Sequence, residues 1–367
     1  METYPIPMVP GPVRVPQAVL DAMNVDYGSA DLETEFLELY NRTEASLQTI
    51  YATSNPMAIM TGEGMLALWS ALKSVLLPAD RVLAVGTGVF GYGIGDMARA
   101  IGAEVRTVSL GYDETLGDLS RIEQAIVNFH PKMITAVHCE TPSGTLNPLD
   151  GLGMLKQKYD VPLLYVDAVA SAGGTPVLTD EWGIDLCLGA SQKALSAPPL
   201  AAFVSISPRA WEIAAEINYP GYDALLPFRT AQKNFYFPYT PNWHGLAALD
   251  AAAQLLLDEG LEQVFARHNQ VAETCRDRIL ELGLRLFPAP GAVPAPTVTA
   301  VYIPDGIGWE EFDQRLRERG LVVGGSYGPL TGKVFRIGHM GSQADLDLVN
   351  QALDVIESVM REVSKVT

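Results

Sequence analysis

Residues 185–207 read DLCLGASQKALSAPPLAAFVSIS. Two small, apolar runs, GIDLCLGA at 183–190 and AAFVSIS at 201–207, have the length and composition of strands buried on both faces. Between them Ser191, Ser196, Pro198 and Pro199 make a turn, and that turn carries a single charge, Lys193. A lysine on a surface turn keeps its ammonium in water. A lysine held between two core strands is partly desolvated, which disfavours the charged form and leaves a neutral amine able to condense with a carbonyl. Which case applies depends on whether the rest of the chain builds a site around Lys193.

Working back from this turn, strand-like and helix-like runs alternate. They are MAIMTG (57–62), MLALWSALKSVL (65–76), RVLAVGT (81–87), GIGDMARAIG (93–102), EVRTVSL (104–110), LSRIEQAIVNF (119–129), MITAVHCE (133–140), LDGLGMLKQKY (149–159) and PLLYVDAV (162–169). This rhythm predicts an α/β fold, a mostly parallel sheet with helices on both faces, in which ligands bind beyond the carboxyl ends of the strands. An apolar face of Phe36, Leu39, Leu47 and Ile50 predicts a helix before it. Pro5, Pro7, Pro10 and Pro12 predict an extended arm over 1–15 without regular structure. A large domain is expected over 16–250 and a smaller α+β domain over 251–367, starting within long helices and continuing with strands TVTAVYIP, VVGGSY and KVFRIGH.

Composition narrows the function classes. The net charge of −18 over 367 residues argues against nucleic-acid and anionic-membrane partners and tells nothing about the substrate. No apolar run reaches membrane-spanning length, and METYPIPMVPGPV lacks the basic-then-apolar pattern of a signal peptide. The odd cysteine count, with Cys139, Cys187 and Cys275 in or beside apolar segments, fits buried thiols in a reducing compartment, so a cytoplasmic location is expected. No Cys/His spacing suggests a metal.

The loops after the strands supply the candidates. Asp167 ends the strand PLLYV, where a carboxylate needs a partner: a helix cap, an ion pair, or a buried cation such as the protonated ring nitrogen of pyridoxal phosphate. Thr61-Gly62-Glu63-Gly64 precedes a helix, so its amides offer an anion site; alternatively Glu63 itself sits on the helix start, and its charge repels a phosphate there. Phe90, between glycines in GVFGYG, is core or a ring platform. Thr141 follows MITAVHCE with a free hydroxyl, and Arg336 lies in a strand of the small domain as a structural cation or a carboxylate fork.

Together, PGP (10–12), ETPSGTLNPLDG (140–151), VDAVAS (166–171), SQKALSAPP (191–199) and FRIGHMG (335–341) resemble, in order and over nearly the whole chain, the class V aminotransferases of the fold type I pyridoxal phosphate enzymes, near the alanine–glyoxylate and serine–pyruvate group. The resemblance implies Lys193 as Schiff-base lysine and proton shuttle, Asp167 on the pyridinium nitrogen, Phe90 stacked on the ring, Thr141 on the ring oxygen, and Gln192 with the Gly62–Met65 turn on the phosphate. It implies Arg336 on the substrate carboxylate, with Gly11 and Tyr327 nearby. It also implies a homodimer in which Thr240, in the loop FPYTPNW, reaches the neighbouring site. The expected function is transfer of an amino group from alanine or serine to pyruvate or glyoxylate. Glu63-Gly64-Met65 departs from the usual loop. With GVFGYG it resembles pyridoxamine–pyruvate aminotransferase, for which unphosphorylated pyridoxal is a substrate and Glu63 stands in place of the phosphate site. A desulfurase and a catalytically silent vitamin B6-binding scaffold are the remaining alternatives.

Overall fold

The computed structural model describes residues 4–363. Its central sheet has seven strands in the order Met57–Thr61, Ala201–Ile206, Leu186–Ala190, Leu163–Asp167, Met133–Val137, Arg81–Gly86 and Glu104–Ser109. All neighbours pair in parallel except Ala201–Ile206, which runs antiparallel to both of its partners. The expected pair of buried strands is therefore present, and every residue of both is buried. The strands are near-continuously apolar because helices cover both sheet faces, as a doubly wound sheet requires.

Register places the site. Asp167 sits opposite Val137 on one side and Leu188 on the other, so two neighbouring strands end at one level and the third runs two residues further, to Ala190. Ligand-binding crevices form at such ends, and Lys193 lies three residues beyond the strand Leu186–Ala190.

The largest apolar core runs from Ala30 to Val264, and a second joins Val271, Phe312, Phe335 and Ile356 of the C-terminal part. The helices Trp243–Glu259 and Leu261–Glu281 cross from one core to the other through Gly260, whose φ of +87° suits glycine. The second core packs helices on a four-stranded sheet ordered Ile6–Met8, Leu321–Gly325, Val334–Gly338 and Val298–Tyr302.

Two sequence expectations are corrected here. The N-terminal arm is not without regular structure: Ile6–Met8 pairs in parallel with Leu321–Val323 at the sheet edge, and Ile6 and Met8 are buried in the second core. An edge strand tolerates Pro7, whose missing N–H is needed on one side only. Phe90 does not lie in a loop either. The helix starts at Val89, so GVFGYG forms its first turns and Phe90 is carried rigidly.

Candidate active site

A cavity of about 310 Å³ lies at the strand ends, lined by residues that include Gly11, Glu63, Phe90, Thr141, Asp167 and Lys193. Gly64, Met65 and Gln192 line it too, so most of the candidates share one space. Gly62 stands just outside it, its N–H donating to Leu200 O at 3.1 Å.

Lys193 Nζ donates to Pro10 O at 2.7 Å. The arm passes so close that a Cβ on Gly11 would lie 2.6 Å from Nζ, and Gly11 has φ +100°. Only glycine lets the chain cross the amine there. Burial, reinforced by the Arg336 guanidinium, pushes the Lys193 amine down to about 8. The surface-turn reading of Lys193 is thereby excluded.

Asp167 Oδ1 accepts from Val169 N at 2.9 Å. Burial raises its carboxyl to about 6, against the pull of the Val169 amide and of Lys193. A buried cation beside it would restore full ionisation.

Glu63 closes the opposite end. It caps the helix Gly64–Val75, its Oε1 accepting from Met65 N at 3.1 Å. Its Oε2 accepts from Gln192 Nε2 at 3.2 Å. The buried Gln192 Oε1 has no hydrogen-bond partner among the described residues. The helix N-terminus and Gln192, expected to hold an anion from solution, thus already hold the chain's own carboxylate.

Arg336 is buried, donates Nε to Gly325 O at 2.8 Å and Nη2 to the same oxygen, and packs 4.6 Å from the Tyr327 ring centroid. No carboxylate pairs with it among the described residues. Arg336 and Tyr327 stand outside the cavity wall, although the guanidinium acts electrostatically on Lys193. Thr240, expected at the neighbouring subunit's site, lies outside this chain's own cavity. It is exposed and its Oγ1 donates to Asp31 Oδ2 at 3.0 Å.

Three features were not legible as site residues. Val169 and Cys139 line the cavity, and Glu140 lies behind it, accepting from Phe90 N and Gly91 N. Val169 had a signal, since it lies two residues after a candidate carboxylate. Burial pushes the Cys139 thiol up to about 12, so it is a wall and not a nucleophile.

The family description for aminotransferase class V matches residues 9–336. The chain belongs to the class V aminotransferases. It is 35% identical over 359 residues to an alanine–glyoxylate aminotransferase of Callithrix jacchus, covering 94% of this chain and 85% of the relative. It is 32% identical over 364 residues to a pyridoxamine–pyruvate transaminase of Mesorhizobium japonicum, covering 97% and 91%. The crystal structure of a pyridoxamine–pyruvate aminotransferase from Mesorhizobium loti superposes with a TM-score of 0.94 at 29% identity, covering 99% of this chain and 93% of that one. A class V aminotransferase is a pyridoxal phosphate-dependent enzyme fold, and the cavity of this one fits that molecule unevenly. One end suits the ring: an amine, a buried carboxylate, and the apolar side chains of Phe90 and Val169 line the same cavity. At Glu63 the lining suits an anion poorly, because that carboxylate already occupies the helix amide and the Gln192 amide that a phosphate dianion would need.

Proposed function

We propose that this aminotransferase acts on the unphosphorylated vitamin, moving the amino group of pyridoxamine to a small 2-oxo acid such as pyruvate and releasing pyridoxal and an amino acid. The observation that carries this reading is the Glu63 carboxylate, engaged by Met65 N and Gln192 Nε2. Hydroxymethyl, the neutral group that replaces phosphate in the vitamin, can donate to that carboxylate or to the unpartnered Gln192 Oε1.

The roles follow from the side chains. The pyridoxal ring, when bound, supplies a conjugated system that accepts charge from the substrate α-carbon if its nitrogen is protonated. Asp167 holds that proton in place as a buried counter-charge. Lys193 Nζ would hold the ring's aldehyde by condensation with loss of water and, when free, would carry the proton between donor and acceptor carbons, a task suited to an amine depressed to about 8. Phe90 and Val169 cover the ring faces and exclude water. Arg336 takes the oxo-acid carboxylate, since its guanidinium is buried without an acidic partner. Thr141 and Gly11, both in the cavity wall, and Tyr327, stacked on Arg336, complete the substrate surround.

Replacing Arg336 with Ala raises KM for pyruvate by about a hundredfold, the scale of a lost charge-assisted bidentate pair, and, at a pH above the Lys193 midpoint, leaves pyridoxal affinity within about twofold. Steady-state kinetics and a binding titration check the two halves separately.

The pH dependence has a fixed sign. Capture of pyridoxal needs neutral Lys193, depressed to about 8, and ionised Asp167, raised to about 6. The capture rate therefore climbs through both values and levels off above them. In Arg336→Ala the upper midpoint moves further up, because the guanidinium is the second cause of the depression. Stopped-flow absorbance across this range tests it, and a flat profile contradicts it.

The reading itself is tested by turnover. Protein freed of bound vitamers, given pyridoxamine and pyruvate without any phosphorylated form, should make pyridoxal and alanine in equal amounts. The rival reading is a phosphate-bound enzyme that takes alanine or serine as donor and glyoxylate as acceptor, as the alanine–glyoxylate relative's name describes. It predicts no turnover in that mixture, and turnover only where pyridoxal phosphate is supplied together with alanine or serine and glyoxylate. Homodimerisation through the Thr240 loop belongs to the same proposal, and light scattering measures it. A desulfurase is disfavoured, since burial pushes all three thiols, Cys139, Cys187 and Cys275, up to about 12.

A further inference from the structure

Glu140 is fully buried, carries a carboxylate, and does none of the tasks above. It stands in the short strand Cys139–Glu140, immediately before Thr141 of the cavity wall. Its Oε2 accepts from Phe90 N at 3.1 Å and its Oε1 from Gly91 N at 2.6 Å. Those are first-turn amides of the helix Val89–Ala100, which the helix itself leaves without partners. The chain makes room for this contact. A Cβ at Gly88 would lie 2.5 Å from Glu140 Cδ, and one at Gly91 would lie 3.2 Å from Oε1 and 2.8 Å from Val85 O. Gly88 has φ −177°, extended backbone that any residue adopts, so the space, not the conformation, is what requires glycine there.

We propose that Glu140 is a positioning residue: by clamping the amides of Phe90 and Gly91 it fixes the face that Phe90 turns to the cavity, and so the plane of the aromatic ring bound against it. Both carboxylate oxygens are used as acceptors, one on each amide. A glutamine cannot replace this pattern, because its Nε2 would face an N–H and only one of the two bonds would survive. Burial raises the Glu140 carboxyl to about 7, opposed by these two amides, so the clamp is held against a real desolvation cost.

The proposal rests on the reading that a pyridoxal ring occupies this cavity, and the test separates the two. The full-length protein is saturated with pyridoxal, and the visible circular dichroism of the bound ring is recorded with its dissociation constant. Absence of any induced band in the unaltered protein rejects the occupancy reading before any variant is made. Given that band, Glu140→Gln should weaken pyridoxal binding by about tenfold, equivalent to about 1.4 kcal/mol, and change the band's intensity per bound ring. KM for pyruvate at saturating pyridoxamine should stay within about twofold, since Arg336 is untouched. In a Phe90→Leu background the same substitution should change affinity by less than about twofold, because the group through which it acts is gone. Gly88→Ala, which pushes the carboxylate from its other side, is the second variant and should reproduce the loss if Glu140→Gln does not fold. Equal effects with and without Phe90, or variants that lower thermal stability while leaving affinity and the induced band unchanged, overturn the proposal.

Discussion

Lys193→Ala removes amino transfer by about four orders of magnitude or more, since it deletes both the covalent attachment and the general base. Stability should change little. Among the described residues Lys193 Nζ makes one hydrogen bond, to Pro10 O. Losing a buried cation depressed to about 8 also removes a desolvation penalty. The measurement is single-turnover conversion of pyridoxamine with pyruvate, beside a thermal melt. A folded variant that keeps more than about one per cent of the rate would mean that Lys193 is not the proton carrier.

Glu63→Ser reverses the vitamer preference. Two like charges about 4 Å apart at a partly exposed site repel by up to about 4 kcal/mol, and screening reduces this to about half. Removing the carboxylate also frees Met65 N and Gln192 Nε2, both now committed to it. Affinity for pyridoxal phosphate should therefore rise by about a hundredfold, while affinity for pyridoxal falls. Competition titrations with both vitamers measure the ratio directly. An unchanged ratio would mean that Glu63 caps its helix and does no more.

The sheet was legible because its signal is local. Continuous apolar runs such as LLYV and LCLGA have no other stable place than the middle of a covered sheet, and the turn between two of them pointed to Lys193. Asp167 was legible for the same reason, as a charge ending a buried strand. The helix Pro208–Ile217 carried a signal that went unread: Ser207 caps it through Ala210 N and proline follows at the first helical position. The pairing of Ile6–Met8 with Leu321–Val323 was not legible, because nothing near residue 6 records a partner more than three hundred residues away. Glu140 failed on the same ground. Its amide partners lie 49 and 50 residues upstream, and the spacing Gly88-x-x-Gly91 acquires meaning only once the two segments are seen in contact. Glu63 was legible as an anomaly but not as an outcome, since Gln192, whose amide engages it, is 129 residues distant.

On the proposed function, the protein binds the ring end of vitamin B6 and refuses the phosphate end. Equilibrium absorption titration of vitamer-free protein with pyridoxal, and in parallel with pyridoxal phosphate, tests it most directly. The prediction is a visible band that saturates with pyridoxal at a concentration at least about tenfold lower than with the phosphate, and that is lost in Lys193→Ala. Tighter saturation with pyridoxal phosphate than with pyridoxal would contradict it and return the protein to the phosphate-dependent amino-acid transaminases.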